Sequence, residues 1–170
     1  STLVNLSVLN CCGCFNIREI PSTLVNLSVL NCCGCFNLQS CSRCEVQSIP
    51  ATLVNLTELD CRNCPNIREI SSTLVNLIEL DCNYCPNIQE IPSTLVNLIE
   101  LHCCGCLNLH EIPKTLINFE ILYCSNCPML TFIPETFTGL KGLVCIRCPN
   151  IRVIPSTLVN LIELVCDEKP

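Results

Sequence analysis

The feature that most constrains this chain is its repetition. The string STLVNL begins at Ser1, Ser22, Ser72, Ser93 and Ser156, with ATLVNL at Ala51, and the segments Ser1–Asn16 and Ser22–Asn37 are identical. A Leu-x-Cys triplet recurs at Leu9, Leu30, Leu59, Leu80, Leu101, Leu122, Leu143 and Leu164, with gaps of 21 residues except for one of 29 between Leu30 and Leu59. One unit reads LxxLxCxxCxxLxxIPxTLxN. A unit this short cannot bury an apolar face alone, whereas stacked copies cover one another and build a continuous core. The 170 residues suit a single domain of that kind, 1–170.

Alternation gives the local structure. In Leu101-His102-Cys103 successive side chains point to opposite faces, as a short strand requires, so Leu101 and Cys103 point inward and His102 outward. Eight such strands stacked in parallel at about 4.8 Å make a rod roughly 35–40 Å long. The return path IPxTLxN is too short and too punctuated by Pro for a full helix. It predicts extended or polyproline backbone with a 3₁₀ turn around Thr-Leu-Val-Asn. The unit Cys32–Pro50 is irregular. The 29-residue gap exceeds the others by eight residues, and the excess carries Cys41-Ser42-Arg43-Cys44-Glu45-Val46, which places an irregular insertion at about 39–48. A loop is expected there over a partial coil, since a coil without its Leu positions would leave a gap in the core.

The segment Leu98-x-x-Leu101-x-Cys103-x-x-Cys106, followed by Leu109, resembles the leucine-rich repeat family, and the pattern runs through the whole chain. It departs by one residue, with two residues between the second Cys and the next Leu where one is common. The variant resembles cysteine-type repeats, including those of plant resistance proteins, and the IPxTL segment is similar to short bacterial effector repeats. Repeat arrays of amoeba-infecting giant viruses are a further likeness. The resemblance implies an α/β-type solenoid: a right-handed coil, a concave parallel sheet of about eight strands, and a convex side with few or no full helices.

Composition narrows the function. The net charge of −6 and the pI of about 4.8 argue against nucleic acid and against an anionic membrane surface. No run approaches the roughly 18 apolar residues of a spanning helix, and no signal-peptide pattern opens the chain. The chain starts and stops inside repeats, which reads as a fragment of a longer array.

Twenty cysteines are compatible with three chemistries. The CxxC pairs at Cys11/Cys14, Cys32/Cys35, Cys41/Cys44, Cys61/Cys64, Cys82/Cys85, Cys103/Cys106, Cys124/Cys127 and Cys145/Cys148 fall within zinc-ribbon spacing. Repeat register favours packing: the first Cys takes an inward strand position, the second the Asn/Cys position that bonds neighbouring backbone. Equivalent cysteines on adjacent strands would lie near 5 Å apart, within bridging range, but in-register buried strands seldom aim their Cβ vectors for it. Thiols in an intracellular, reducing compartment are therefore expected (the host cytoplasm, for a viral protein). Cys12, Cys33 and Cys104 follow the strand cysteine and should face outward as the most modifiable thiols.

The outward strand positions are the candidate binding face. Glu58 and Asp60, Glu79 and Asp81, then Glu100 and His102 should stack as an acidic ridge, with Arg62 and Asn83 beside it. Val8, Asn10, Val29 and Asn31 leave the first repeats neutral. Toward the end the same columns are expected to become apolar through Ile121 and Tyr123, Val144 and Ile146, then Val165. Stacked like charges repel and would be relieved by a basic partner. The Asn column (Asn5, Asn26, Asn55, Asn76, Asn97, Asn118, Asn160) is better explained structurally, each amide bonding the next coil's backbone.

No catalytic constellation emerges. His102 and His110 should not converge, and His102 with Cys104 lacks an orienting third group. The chain reads as a non-catalytic module without cofactor. It would bind another protein, one with a basic surface, on its strand face; the alternative is an array that self-associates through uncapped ends. Zinc binding through CxxC is the remote third reading.

Overall fold

The computed structural model describes residues 3–14, 16–34 and 44–167. Eight short strands form one parallel sheet in sequence order: β1 (Val8–Asn10), β2 (Val29–Asn31), β3 (Glu58–Asp60), β4 (Glu79–Asp81), β5 (Glu100–His102), β6 (Ile121–Tyr123), β7 (Gly142–Cys145) and β8 (Glu163–Cys166). Leu9, Leu30, Leu59, Leu80, Leu101, Leu122, Leu143 and Leu164 are mutual partners down the sheet. The register is therefore the sequence repeat itself: a one-residue slip would turn every Leu and Cys of a strand outward.

No helix of any kind occurs among the described residues, and none is long and apolar enough to cross a membrane. Where a 3₁₀ turn was expected, the return path makes two successive tight turns. Leu95 N–H donates to Pro92 O at 3.2 Å and Leu98 N–H to Leu95 O at 3.0 Å, and the same pair of bonds recurs in neighbouring coils. The second turn starts afresh from the residue that closes the first, so two isolated bonds form in each coil and do not run on into a helix. Ser71 replaces that Pro in one coil, and the turn persists through Leu74 N–H to Ser71 O at 3.2 Å.

The core is a set of columns rather than a cluster of large rings. In the middle coils Leu74, Leu77, Leu80, Cys82, Cys85 and Ile88 are wholly buried, as are their counterparts Leu95, Leu98, Leu101, Cys103, Cys106 and Leu109. No charged or polar residue is buried among those described. Phe119 replaces Leu at the second turn position of its coil and Phe137 at the first turn position of the next, and the two rings meet edge to face at 5.0 Å.

Backbone groups outside the sheet are satisfied by side chains from the neighbouring coil. Asn55, Asn76, Asn97, Asn118 and Asn160 donate Nδ2 to the carbonyls of Val25, Val54, Val75, Val96 and Thr138 at 2.7–2.9 Å. This is the structural role expected of the Asn column. Two further ladders carried no sequence expectation. Thr73, Thr94, Thr115 and Thr157 donate Oγ1 to Ala51, Ser72, Ser93 and Glu135 carbonyls at 2.6–2.9 Å. Asn87, Asn108 and Asn150 bond Pro65, Pro86 and Pro128 carbonyls. Their signal was in the sequence, as the invariant Thr of S-T-L and the recurring C-P-N.

The insertion expected at about 39–48 lies outside the described residues up to 43. Beyond it, Cys44 is buried and its thiol donates to Cys32 O at 3.2 Å, so the chain rejoins the core there. Val46 and Ile49 follow as buried core residues.

Candidate functional site

The corner after each strand positions the outward face. Asn63, Tyr84, Gly105, Asn126 and Arg147 all have φ between 56° and 74°, a left-handed conformation that turns the chain sharply from the sheet into the second cysteine. Gly105 is required at its corner, because an added Cβ would come within 2.7 Å of Tyr84 Cδ1. Tyr84 itself is exposed at the rim beside the face, an aromatic side chain that the repeat pattern does not single out.

Register brings the predicted ridge together. Glu58 pairs with Glu79 and Glu79 with Glu100; Asp60 pairs with Asp81 and Asp81 with His102. Two columns result, and they differ in charge balance. Arg62 stands over the Asp column, with Nη2 2.6 Å from Asp60 and Nε 3.3 Å from Asp81. Among the described residues no Lys or Arg pairs as closely with Glu58, Glu79 or Glu100; Arg62 acts on Glu79 from its place on the Asp column, and His102 stands beside Glu100. Burial, then Glu100 and Glu58, push the Glu79 carboxyl above its ordinary value. Asp81 is also raised, chiefly by burial, although bonds from Asn83 N–H and the Arg62 charge oppose the shift.

His102 joins the acidic half to the apolar half. Its ring meets Tyr123 edge to face at 4.9 Å, and its Nε2 lies 3.7 Å from Glu100 Oε2. That nitrogen is buried without a hydrogen-bond partner. His110 lies on the return path, where its N–H donates to Gln89 O, so the two histidines belong to different sides of the coil.

The apolar end differs from expectation. Ile121 pairs with Gly142, which pairs with Glu163, while Tyr123 pairs with Val144, which pairs with Val165. Val144 and Val165 therefore extend the Asp60–Tyr123 column, but Ile146 does not. It lies two residues past Val144, and its N–H bonds Ser125 Oγ at 3.1 Å, in the column of Arg62, Asn83 and Cys104. The reason is strand alternation: the outward residues flanking Leu143 are Gly142 and Val144, so the first column turns to glycine and then acidic again at Glu163.

The cysteines divide by position. Cys85, Cys106, Cys127 and Cys148 each donate Sγ–H to the carbonyl of Cys61, Cys82, Cys103 and Cys124 in the preceding coil, at 3.0–3.2 Å. Cys64 does the same to Cys32 at 3.2 Å. This is the backbone-bonding role expected of the second cysteine. The neighbouring Cys85 thiol, then burial, hold the Cys61 thiol well above its usual value, and Cys82, Cys103 and Cys124 are held up in the same way by Cys106, Cys127 and Cys148. The expectation of thiols fails at one place: Cys12 and Cys33 form a disulfide, with Cα atoms 4.7 Å apart. They sit at equivalent corners of consecutive coils, one place past the inward cysteines; Cys12 is exposed as expected, whereas Cys33 is buried. Cys104, the third of that set, is a half-buried thiol whose pKa burial raises.

A Leucine Rich Repeat family profile matches residues 118–140, and no curated protein matches the sequence. In fold the chain is similar to the functional domain of InlJ from Listeria monocytogenes, described as including a cysteine ladder (TM-score 0.55, 21% identity, 96% of this chain and 44% of that one). It is also similar to a leucine-rich repeat protein of Leptospira interrogans (TM-score 0.54, 19% identity, 95% of this chain and 49% of that one). The chain thus spans less than half the length of either. Solenoids of this class use their extended sheet face to bind other macromolecules. The 21-residue unit, the in-register parallel sheet and the buried second cysteine give the chain the fold of a leucine-rich repeat solenoid, and the family profile matches about one of its units.

Proposed function

We propose that the chain is a protein-interaction module that takes a partner with a basic surface across its strand face. The observation that carries this reading is the Glu column beside an aromatic and apolar stretch. Glu58, Glu79 and Glu100 stack on adjacent strands with no Lys or Arg ion pair among the described residues, and the Glu79 carboxyl is pushed up by burial and then by Glu100 and Glu58. A Lys or Arg docked there relieves the repulsion, while Ile121, Tyr123, Val144 and the exposed Tyr84 supply the apolar contact that a charge pair alone lacks. The module acts by positioning, with no catalytic step.

The test is retention of partners by immobilised protein at low and moderate salt. Triple substitution Glu58→Lys, Glu79→Lys and Glu100→Lys should release the partner, and Tyr123→Ala should weaken it at both salt concentrations. Retention unchanged by both variants would overturn the reading.

A further inference from the structure

The N-terminal end of the strand face carries a group that this reading does not use. Cys12 Sγ, Cys33 Sγ and a carboxylate oxygen of Asp60 all lie within 4.8 Å of one another, and no other described His, Cys, Asp or Glu residues form such a group. We propose that, once the Cys12–Cys33 bridge is reduced, these three residues form a site for a thiophilic divalent cation of the zinc type.

The geometry suits such an ion. Zn–S bonds of about 2.3 Å and Zn–O bonds of about 2.0–2.2 Å place tetrahedral ligand atoms roughly 3.5–3.8 Å apart; the bridged sulfurs move apart to that spacing on reduction, and an Asp60 oxygen already lies within 4.8 Å of both. The three residues come from consecutive coils whose register is already set, with Asn10, Asn31 and Asp60 as successive strand partners. Cys12 N–H donates to Asn10 Oδ1 at 3.1 Å, which holds the first corner in place. Cys12 is exposed, so the fourth position opens to water.

Asp60 is the contested ligand. Arg62 bonds both of its oxygens, Nε to Oδ1 at 2.9 Å and Nη2 to Oδ2 at 2.6 Å. Arg62 also reaches Asp81 at 3.3 Å, so it keeps an anchor when Asp60 turns one oxygen to the ion. Two thiolates and a carboxylate carry three negative charges, which the ion and Arg62 together neutralise. This site differs from a CxxC centre: it uses outward cysteines of two adjacent coils, while the inward ones remain in the core.

The chemistry has two exclusive states. A dithiol reductant exchanges with the bridge, giving two protein thiols and leaving as its own disulfide. The cation then displaces the two thiol protons and forms two metal–sulfur bonds. Oxidation of the pair by a disulfide of comparable class re-forms the bridge and expels the ion.

Cobalt(II) is the probe, because thiolate-to-cobalt absorption reports bound sulfur directly. The full chain, reduced with a phosphine and then freed of it, should bind one cobalt, displaced by zinc, while the oxidised chain should bind none. Asp60→Asn keeps both thiols and should weaken binding about tenfold or more, and Cys12→Ser with Cys33→Ser should abolish the absorption. The site is overturned if the reduced chain takes up no cobalt, if the oxidised chain or the double Ser variant takes it up equally, or if Asp60→Asn leaves affinity unchanged.

Discussion

Two stretches of this chain have the same sixteen residues and different structures. Ser1–Asn16 and Ser22–Asn37 are identical in sequence, yet Leu3 is 64% exposed and its copy Leu24 only 3%. Leu9 is half-buried and Leu30 wholly buried; Cys12 is exposed and Cys33 buried. Even the corner differs, since Gly13 has φ 71° while Gly34, which leads toward the insertion, is not left-handed. In this structure β1 pairs with β2 alone, whereas β2 lies between β1 and β3. What sequence supplies here is a shape that stacks; burial, and with it stability, comes from the neighbour.

The sharpest test of that view compares Leu101→Ala with Leu9→Ala. Both remove the same side chain from the same repeat position. Truncating the wholly buried Leu101 should cost about 3–4 kcal/mol, and truncating half-buried Leu9 about 1 kcal/mol. Denaturant unfolding of the two variants decides it, and equal losses would show the first coil to be packed as firmly as the middle ones.

Next in size is the bridge. Cys12→Ser with Cys33→Ser opens a cross-link with a sequence separation of 21, an effect of about 2–3 kcal/mol by chain entropy. Amide exchange should show the loss confined to residues 3–14, with protection around β5 unchanged. A uniform loss would mean that the solenoid unfolds as one unit.

The paired thiols give a smaller contrast. Cys106→Ala deletes a buried thiol and its bond to Cys82 O, which should cost about 1–2 kcal/mol. Cys14→Ala, at the same repeat position, should cost almost nothing, because Cys14 is exposed.

The smallest effect lies on the ridge. The Glu79 carboxyl is raised in the folded chain, so its protonated form is the one that favours folding. That contribution is complete below the ordinary carboxylate value of 4.5 and is lost as pH rises through the raised one. At neutral pH Glu79→Gln should therefore stabilise the chain, by about 0.3 kcal/mol given its solvent screening. The difference from the parent chain should vanish on acidification below the carboxylate range. A variant less stable than the parent at neutral pH would contradict the repulsion.

The inward half of the structure was legible because each Leu-x-Cys triplet fixes one strand, and strict spacing then fixes all seven strand pairings. The second cysteine was legible for the same reason: its place in the repeat allows one partner, the preceding coil's carbonyl. The outward half was harder. Nothing buried constrains it, so Ile146 was grouped with Tyr123 by apolar character, although counting from Leu143 puts it in another column. The Cys12–Cys33 bridge was missed because burial arguments for the inward cysteines do not extend to the corners one place past them. Tyr84 was missed because a bulky left-handed residue at a corner leaves no periodic trace.

The thiol ladder also makes the chain a recorder of its own opening. Each Sγ–H from Cys64 to Cys148 is committed to a carbonyl of the coil before it, so an alkylating reagent reaches it only when that pair of coils has parted. Every coil carries its own reactive tag at the seam, and each seam that opens adds a fixed mass increment to the intact chain. A time course of intact masses would thus count the seams opened, without any substitution being introduced.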